Sequence, residues 1–310
     1  MLLTTPLAAL TGGNLHTGLP ISADSPLVLD KPARDRLVLN DPSCAALVRR
    51  VIAPEDIHPW RTAFSRFLIG IPHGWTGGTL GHGLAEDAAW SGLATRHFAL
   101  AKYLRPREQA LREQPHGAFW WELPPYSVDW FATPSIVWAS TAQELRPAFS
   151  LEGAYLLAGI AFTTAPSAFL LGYLGSAAGR TAARTLGGLD AETLSRLHIP
   201  QLGDEAEARV AALAEQLVEH TAELAALEQA TRQKIMRDLA PAGATAGPRL
   251  LQWWQLSFEE FLSELAHRFK GDVPFRYREG WQQYLNEQRR AHFASQGGIA
   301  QLEEQLNQLF

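Results

Sequence analysis

The stretch from Asp204 to Leu239 constrains this chain more than any other part of it. Over thirty-six residues, apolar side chains recur at alternating steps of three and four through Val210, Leu213, Leu217, Leu224 and Leu227, skipping His220. That spacing puts them on one stripe of a helix, and a helix of this length is a rod of roughly 54 Å at 1.5 Å per residue. His220, Thr231 and Lys234 dilute the stripe, so the rod is expected to pack on the chain's own helices rather than to pair as a free dimer. The segment PAGATAGP ends it. The rod divides the sequence, and the expected organisation is one domain over residues 1–203 and a helical domain over 204–310.

Ahead of the rod the texture is mixed. PLVLD, ending at Asp30, reads as a strand, and Pro32 suits the first turn of a helix through Leu39. A second strand is expected over Phe67–Ile71, followed by a glycine-rich loop, GWTGGTLGHG. Helical spacing from Leu84 to about Gln114 predicts two helices broken near Pro106. From Ala118 onward FWWEL, SIVWAS, AFSL and AYLLAGIAF read as strands of a mixed sheet, and Ser167–Leu186 returns to helix. Pro166, Gly159, Thr163 and Thr164 interrupt the apolar run over Leu151–Ala178, which favours a buried strand and helix over a membrane span. After the rod come LLQWWQLSFEEFLSELAHRF, then EGWQQYLNEQRRAHF and IAQLEEQLNQLF, all helical and aromatic. The fold class is therefore α+β: a mixed-sheet domain followed by a helical domain with one long helix.

A net charge of −5 argues at first against nucleic acid, whose phosphates call for Lys and Arg. The distribution changes that reading. Basic and acidic residues balance at sixteen each through residue 203, and stand at eleven against sixteen after it. In the first part bases cluster at Arg49, Arg50, Arg61 and Arg66, then at Arg96, Lys102, Arg105, Arg107 and Arg112, interleaved with tryptophans from Trp60 to Trp138. Aromatic rings among cations can stack on or wedge beside bases. Core packing remains the simpler assignment for Trp120, Trp121, Trp253 and Trp254.

Catalytic chemistry is scarce. The one cysteine, Cys44, excludes an internal disulfide, gives too few thiolates for a structural zinc site and points to a reducing, cytoplasmic setting. The mildly apolar start carries no basic leader and is too short to span a bilayer. His58, His73, His82, His97 and His116 lack the spacing of a metalloprotease motif, so no metal site is expected. Gly77, Gly78, Gly81 and Gly83 do not have dinucleotide spacing, and no Gly-Lys-Ser/Thr follows them; the stretch reads as a flexible insertion. Leu123-Pro124-Pro125-Tyr126 is one residue away from the Asn-Pro-Pro-Tyr tetrad that grips a flipped adenine, but Leu123 offers no amide to accept from the base.

In order, these segments resemble the C-terminal specificity region of Taq-type adenine-specific DNA methyltransferases and the related type IIG restriction-modification enzymes. GGNLHTGL, PLVLDKPARDRLVLNDPSCAALVRRVIAPEDI, IPHGWT, KYLRPREQALREQ and GAFWWELPPYSVDWFATPSIVWAS follow the family's order, with Glu55 where the family has a basic residue and Pro124 where it has Arg. AFSLEGAYLLAGIAF, SAFLLGYLGSAAGR, LSRLHIPQL and WWQLSFEEF complete the series, from about Gly12 to Leu309. The resemblance implies a target-recognition module that reads base edges of double-stranded DNA while a methyltransferase or nuclease partner domain acts. Within such a module the candidate phosphate contacts are Arg49, Arg50, Arg61, Lys102 and Arg105, and the candidate base or sugar contacts Thr17, His73, Trp75 and Tyr126. Neither a cofactor-binding glycine motif nor the intact tetrad occurs here, so S-adenosylmethionine belongs to a catalytic domain elsewhere and this chain is expected not to be an enzyme on its own. The alternative is a non-catalytic interaction scaffold in an antiphage or restriction assembly, which the net negative charge and the loss of the basic residue before Asp56-Ile57 favour.

Overall fold

The computed structural model describes residues 3–310. In chain order the elements are β1 (Thr4–Pro6), α1 (Leu7–Leu10), β2 (Leu15–Thr17), β3 (Val28–Asp30), α2 (Lys31–Asn40), β4 (Val48–Ile52), β5 (Ile57–His58), β6 (Arg61–Thr62) and β7 (Arg66–Ile69). Then come α3 (Trp75–Leu80), α4 (Glu86–Arg96), α5 (Phe98–Leu104), α6 (Glu108–Arg112), β8 (Ile136–Ala139), β9 (Ala148–Phe149), β10 (Tyr155–Leu156), β11 (Ile160–Thr163), α7 (Ala168–Gly175) and α8 (Ala177–Leu186). The last are α9 (Ala191–Ser195), β12 (His198–Pro200), α10 (Asp204–Leu239), α11 (Pro248–Leu251), α12 (Phe258–Phe269) and α13 (Phe275–Asn307). The chain divides into two compact units, one running to Ala214 and taking in Phe310, the other Glu215–Leu309.

The first unit is the α+β part. A mixed sheet has the order β10-β4-β7-β3, with β10 parallel to β4 and the other pairs antiparallel. A second, wholly antiparallel sheet has the order β2-β11-β8-β9. β1 pairs with β12 across nearly the whole unit. The sheets together supply one core, with Leu29, Val51, Leu68 and Ile69 from the mixed sheet meeting Val137, Ile160 and Phe162 from the other. Short strands suffice here because burial, at about 25 cal/mol per Å² of apolar surface, stabilises them through their side chains more than their ladders do.

Local signals explain the boundaries. Asp30 caps α2, its Oδ1 accepting from the Ala33 N–H at 2.7 Å, and Pro32 sits where a missing N–H costs nothing. Ser167–Leu186 is two helices rather than the single run expected, because Ser176 ends α7 and caps α8 by accepting from the Gly179 N–H at 3.0 Å. A Cβ on Gly179 would lie 2.0 Å from the Tyr173 carbonyl oxygen, so the joint admits only glycine. The expected pair of helices over Leu84–Gln114 breaks at His97 as well as near Pro106, giving α4, α5 and α6. FWWEL forms no strand. Trp120 and Trp121 both turn into the core, which an alternating strand could not do, and the segment is a turn. The first turns of α10 pack on α7, where Gly172 lies against Val210 and Ala214.

The second unit is helical. Ser257 and Glu260 form a reciprocal capping box at the start of α12, at 3.2 and 2.8 Å. Its core joins Ile235, Leu250, Trp253, Phe261, Leu265, Trp281 and Leu285. Trp253 is buried as expected, while Trp254 is half-buried and stacks on His292 at 4.4 Å. α13 is a second long helix of 33 residues that runs through Gly297-Gly298, where the sequence suggests two separate segments. No helix among the described residues is long and apolar enough to cross a membrane.

Candidate nucleic-acid interface

One hollow in the first unit gathers cations without acids. It lies between α2 and α5, holds about 450 Å³, and its charged lining residues are Arg36, Lys102 and Arg107, with no carboxylate. Ala33, Arg36, Leu37 and Asn40 come from one stripe of α2, and Phe98, Ala99 and Lys102 from α5. Among the described residues neither Arg36 nor Lys102 forms an ion pair. Arg107 stacks over the Tyr103 ring at 3.7 Å and donates to the Tyr103 carbonyl at 2.7 Å, which holds its guanidinium at the rim. Tyr103 is itself anchored, its hydroxyl donating to the Pro26 carbonyl at 3.3 Å. Phe98 is 61% exposed beside Lys102, whose ammonium lies 5.9 Å from the ring centroid. An exposed ring flanked by unneutralised cations suits phosphate with an adjacent base or sugar.

A second cation–aromatic patch lies on the mixed sheet. Arg50 sits 4.9 Å over Phe64 and Arg34 sits 5.3 Å over Phe67, and the two rings meet edge-on at 6.0 Å. Arg34 and Arg36 are two residues apart, about 200° around a helix, so they leave α2 on different sides. Arg49, next to Arg50 on β4, points to the other sheet face and leans on the Tyr155 phenol. Arg66 is committed to Glu55 and lies 3.8 Å from Asp56, whose Oδ2 accepts from the Ala53 N–H at 2.9 Å. The Asp56-Ile57 turn is thus satisfied from within.

The predicted phosphate contacts therefore separate. Lys102 enters the groove, Arg50 the sheet patch and Arg49 the opposite face. Arg105 pairs with Glu108 at 3.0 Å and lies 5.4 Å over Trp90, and Arg61 is half-buried on β6 opposite His58.

The predicted base-contacting residues fall into two places. His73 and Trp75 belong to a clamped loop. Glu122, buried to 1% exposure, accepts from the N–H groups of Gly74 at 3.1 Å and Thr76 at 2.8 Å; Trp121 Nε1 donates to Thr76 Oγ1 at 3.0 Å, and the Leu123 N–H donates to the Ile71 carbonyl at 2.8 Å. Gly74 takes a left-handed φ of 77°, which turns the exposed His73 outward. Part of the glycine-rich stretch expected as a loose insertion is thereby a short helix, α3, with its N-terminal donors fixed by a carboxylate from far along the chain. Thr17 and Tyr126 instead meet at a shallow hollow of about 590 Å³, with His16 and Trp130 in its wall. His16 stacks on Trp130 at 3.8 Å, and Tyr126 lies edge-on to it at 5.3 Å. Burial pushes the Tyr126 phenol up and the His16 imidazole down, so both are held neutral.

Arg36, Asn40 and Phe98 are groove residues that sequence reasoning misses, and Arg107 is counted there in a basic cluster without being assigned a contact. A signal was present, since 33, 36, 37 and 40 share one helical face and 98, 99 and 102 share another.

Residues 203–310 match the family model for a domain of unknown function (DUF8810). No curated protein matches the chain. The fold is similar to the structure of the type IIL restriction-modification enzyme MmeI solved in complex with DNA, at a TM-score of 0.42 and 12% identity, over 91% of this chain and 36% of that one. The chain thus spans about a third of the length of that protein.

Proposed function

We propose that this chain recognises double-stranded DNA, as the target-recognition part of an adenine-specific methyltransferase or fused restriction-modification system of the type IIG kind. The observation that carries the reading is the α2/α5 groove, where Arg36, Lys102 and Arg107 face an exposed Phe98 without a carboxylate, in a chain whose net charge is −5. An acidic protein that keeps one groove free of acid holds a local field suited to an anion. The order of motifs from Gly12 onward supports the adenine-methyltransferase assignment. On this reading the groove and the Arg50–Phe64 patch grip phosphates, the clamped His73 loop presents a side chain toward base edges, and methyl transfer from S-adenosylmethionine is the work of a partner domain.

The test is retention of a random-sequence duplex pool by this chain at low and moderate salt, with sequencing of what is retained. Enrichment of a short adenine-containing site is the expected result. Failure to retain DNA at any salt overturns the proposal and favours the scaffold reading, to which the acid excess after residue 203 points.

A further inference from the structure

We propose that Asp41, Cys44 and His97 form a binding site for a divalent cation of the zinc class, which ties the end of α2 to the start of α5. One donor atom from each residue, a carboxylate oxygen, a thiol sulfur and an imidazole nitrogen, lies within 4.8 Å of the others. The sequence argues against a zinc site because one thiolate is too few for the usual sulfur-rich sets. A mixed oxygen, sulfur and nitrogen set needs only one, and three protein ligands with a fourth position open to water are within the ordinary coordination of zinc.

The positions of the three residues make this more than a chance meeting. Asp41 and Cys44 are brought together by a tight 3-10 turn over Pro42–Leu47, in which the Cys44 N–H donates to the Asp41 carbonyl at 3.1 Å. His97 stands at the joint between α4 and α5, 53 residues further on, and Trp75 covers its ring at 5.6 Å. Cys44 is fully buried and His97 is 6% exposed, so sulfur and nitrogen are dry, while Asp41 is half-exposed and Ser43 exposed, which leaves a short way in from solvent. The Ser43 hydroxyl occupies the middle of the cluster, donating to Asp41 Oδ1 at 2.5 Å and lying 2.8 Å from His97 Nδ1. A cation that binds both donors must displace it. Asp41 Oδ2 accepts from the Ala99 N–H at 3.3 Å, and a carboxylate with about four lone-pair sites can keep such bonds and still ligate.

The charges also fit. A carboxylate and a thiolate neutralise a dication, and a neutral imidazole completes the set. Binding releases the Cys44 thiol proton to solvent as the sulfur–metal bond forms.

The site is placed to act on the groove. Asn40 and Phe98, which line it, are the immediate neighbours of Asp41 and His97. A cation here fixes the spacing of the two helices that carry Arg36 and Lys102. The inference rests on the ligand geometry alone and stands whether or not the groove binds DNA.

The test uses the whole reduced chain and Co²⁺ as probe. Cys44 is the only cysteine, so a thiolate-to-cobalt charge-transfer band in the near ultraviolet reports this site and no other. The expected result is a band that saturates at one equivalent, disappears on addition of Zn²⁺, and is absent in Cys44→Ala and lost or strongly weakened in His97→Ala and Asp41→Ala. If a variant fails to fold, the wild-type chain still decides: Zn²⁺ must slow alkylation of Cys44 in mild denaturant. Cobalt binding without the band, a band indifferent to both His97→Ala and Asp41→Ala in folded protein, or alkylation unchanged by Zn²⁺ overturns the proposal.

Discussion

Lys102→Ala is the substitution that most directly probes the groove, and its expected size follows from counterion release. Each phosphate neutralised on duplex DNA contributes about 0.9 to the slope of log K against log salt. Lys102 forms no ion pair among the described residues, so the whole of its charge is open to a phosphate, and the variant's slope should be shallower by about 0.9. A fourfold rise in salt, from about 0.05 to 0.2 M, should then weaken the variant about 3.5-fold less than the wild type. Arg36→Ala should do the same. Removing Arg36, Lys102 and Arg107 together should flatten the slope by about 2.7, worth about 40-fold over that salt range. Arg105→Ala is the matched control. It lies in the same stretch of sequence but pairs with Glu108 at 3.0 Å, so its loss should move the slope by less than about 0.3. Fluorescence anisotropy of a labelled duplex, titrated at several salt concentrations, gives all four slopes. Wild-type slopes for both Lys102→Ala and Arg36→Ala, or a loss for Arg105→Ala equal to theirs, would refute the assignment of the groove.

Four further expectations test the fold around the site. Glu122→Ala strands the buried Thr76 N–H and releases that of the exposed Gly74, and should cost about 1–3 kcal/mol in a denaturant titration, with Glu122→Gln milder because one acceptor oxygen remains; equal effects would argue against the clamp. Gly297→Ala and Gly298→Ala have open space around the added methyl within a continuous helix, so together they should raise stability by about 1–2 kcal/mol, and a lower Tm would show that α13 is not continuous there. Gly175→Ala should lower Tm, at a cost of about 1–3 kcal/mol, because its Cβ would lie 2.2 Å from the Trp60 ring. Burial favours the neutral form of His16, so its contribution to stability is fully present above the ordinary value of 6.5 and is lost as pH falls from there toward the lower folded-state value. A His16→Phe variant should show a shallower decline in stability than wild type across that window, measured as the denaturant midpoint against pH, and an identical decline would count against the burial argument.

Much of the architecture is legible in the sequence wherever the signal is local. α10 spans Asp204–Leu239 as its periodicity requires, and α2 starts where Asp30 and Pro32 say it should. What could not be read depends on partners distant in sequence. The glycine-rich stretch becomes α3 in part because Glu122, 46 residues beyond Thr76, supplies its missing acceptors. FWWEL has strand composition but two adjacent tryptophans that must both be buried, and the core overrides propensity there. The groove was hidden for the same reason. Lys102 belongs to a basic run in the sequence, whereas Arg36 belongs to no such cluster and joins Lys102 only because α2 and α5 lie side by side. The clusters counted along the chain are not the clusters on the surface, as the separation of Arg49, Arg50, Arg61 and Arg105 shows.

The strand pairing sets an order of events during synthesis. β2 must find β11, β4 must find β10, and β1 must wait for β12, almost two hundred residues later. A nascent chain that has not yet emitted Tyr155–Thr163 can complete neither four-stranded sheet and carries open strand edges in its first half. Loop closure over such separations is slow, so the unit should mature only after most of it has left the ribosome. A fragment cut before Ile160 lacks β11 and leaves β2 with nothing to pair with, so such a piece should aggregate rather than fold to a smaller domain.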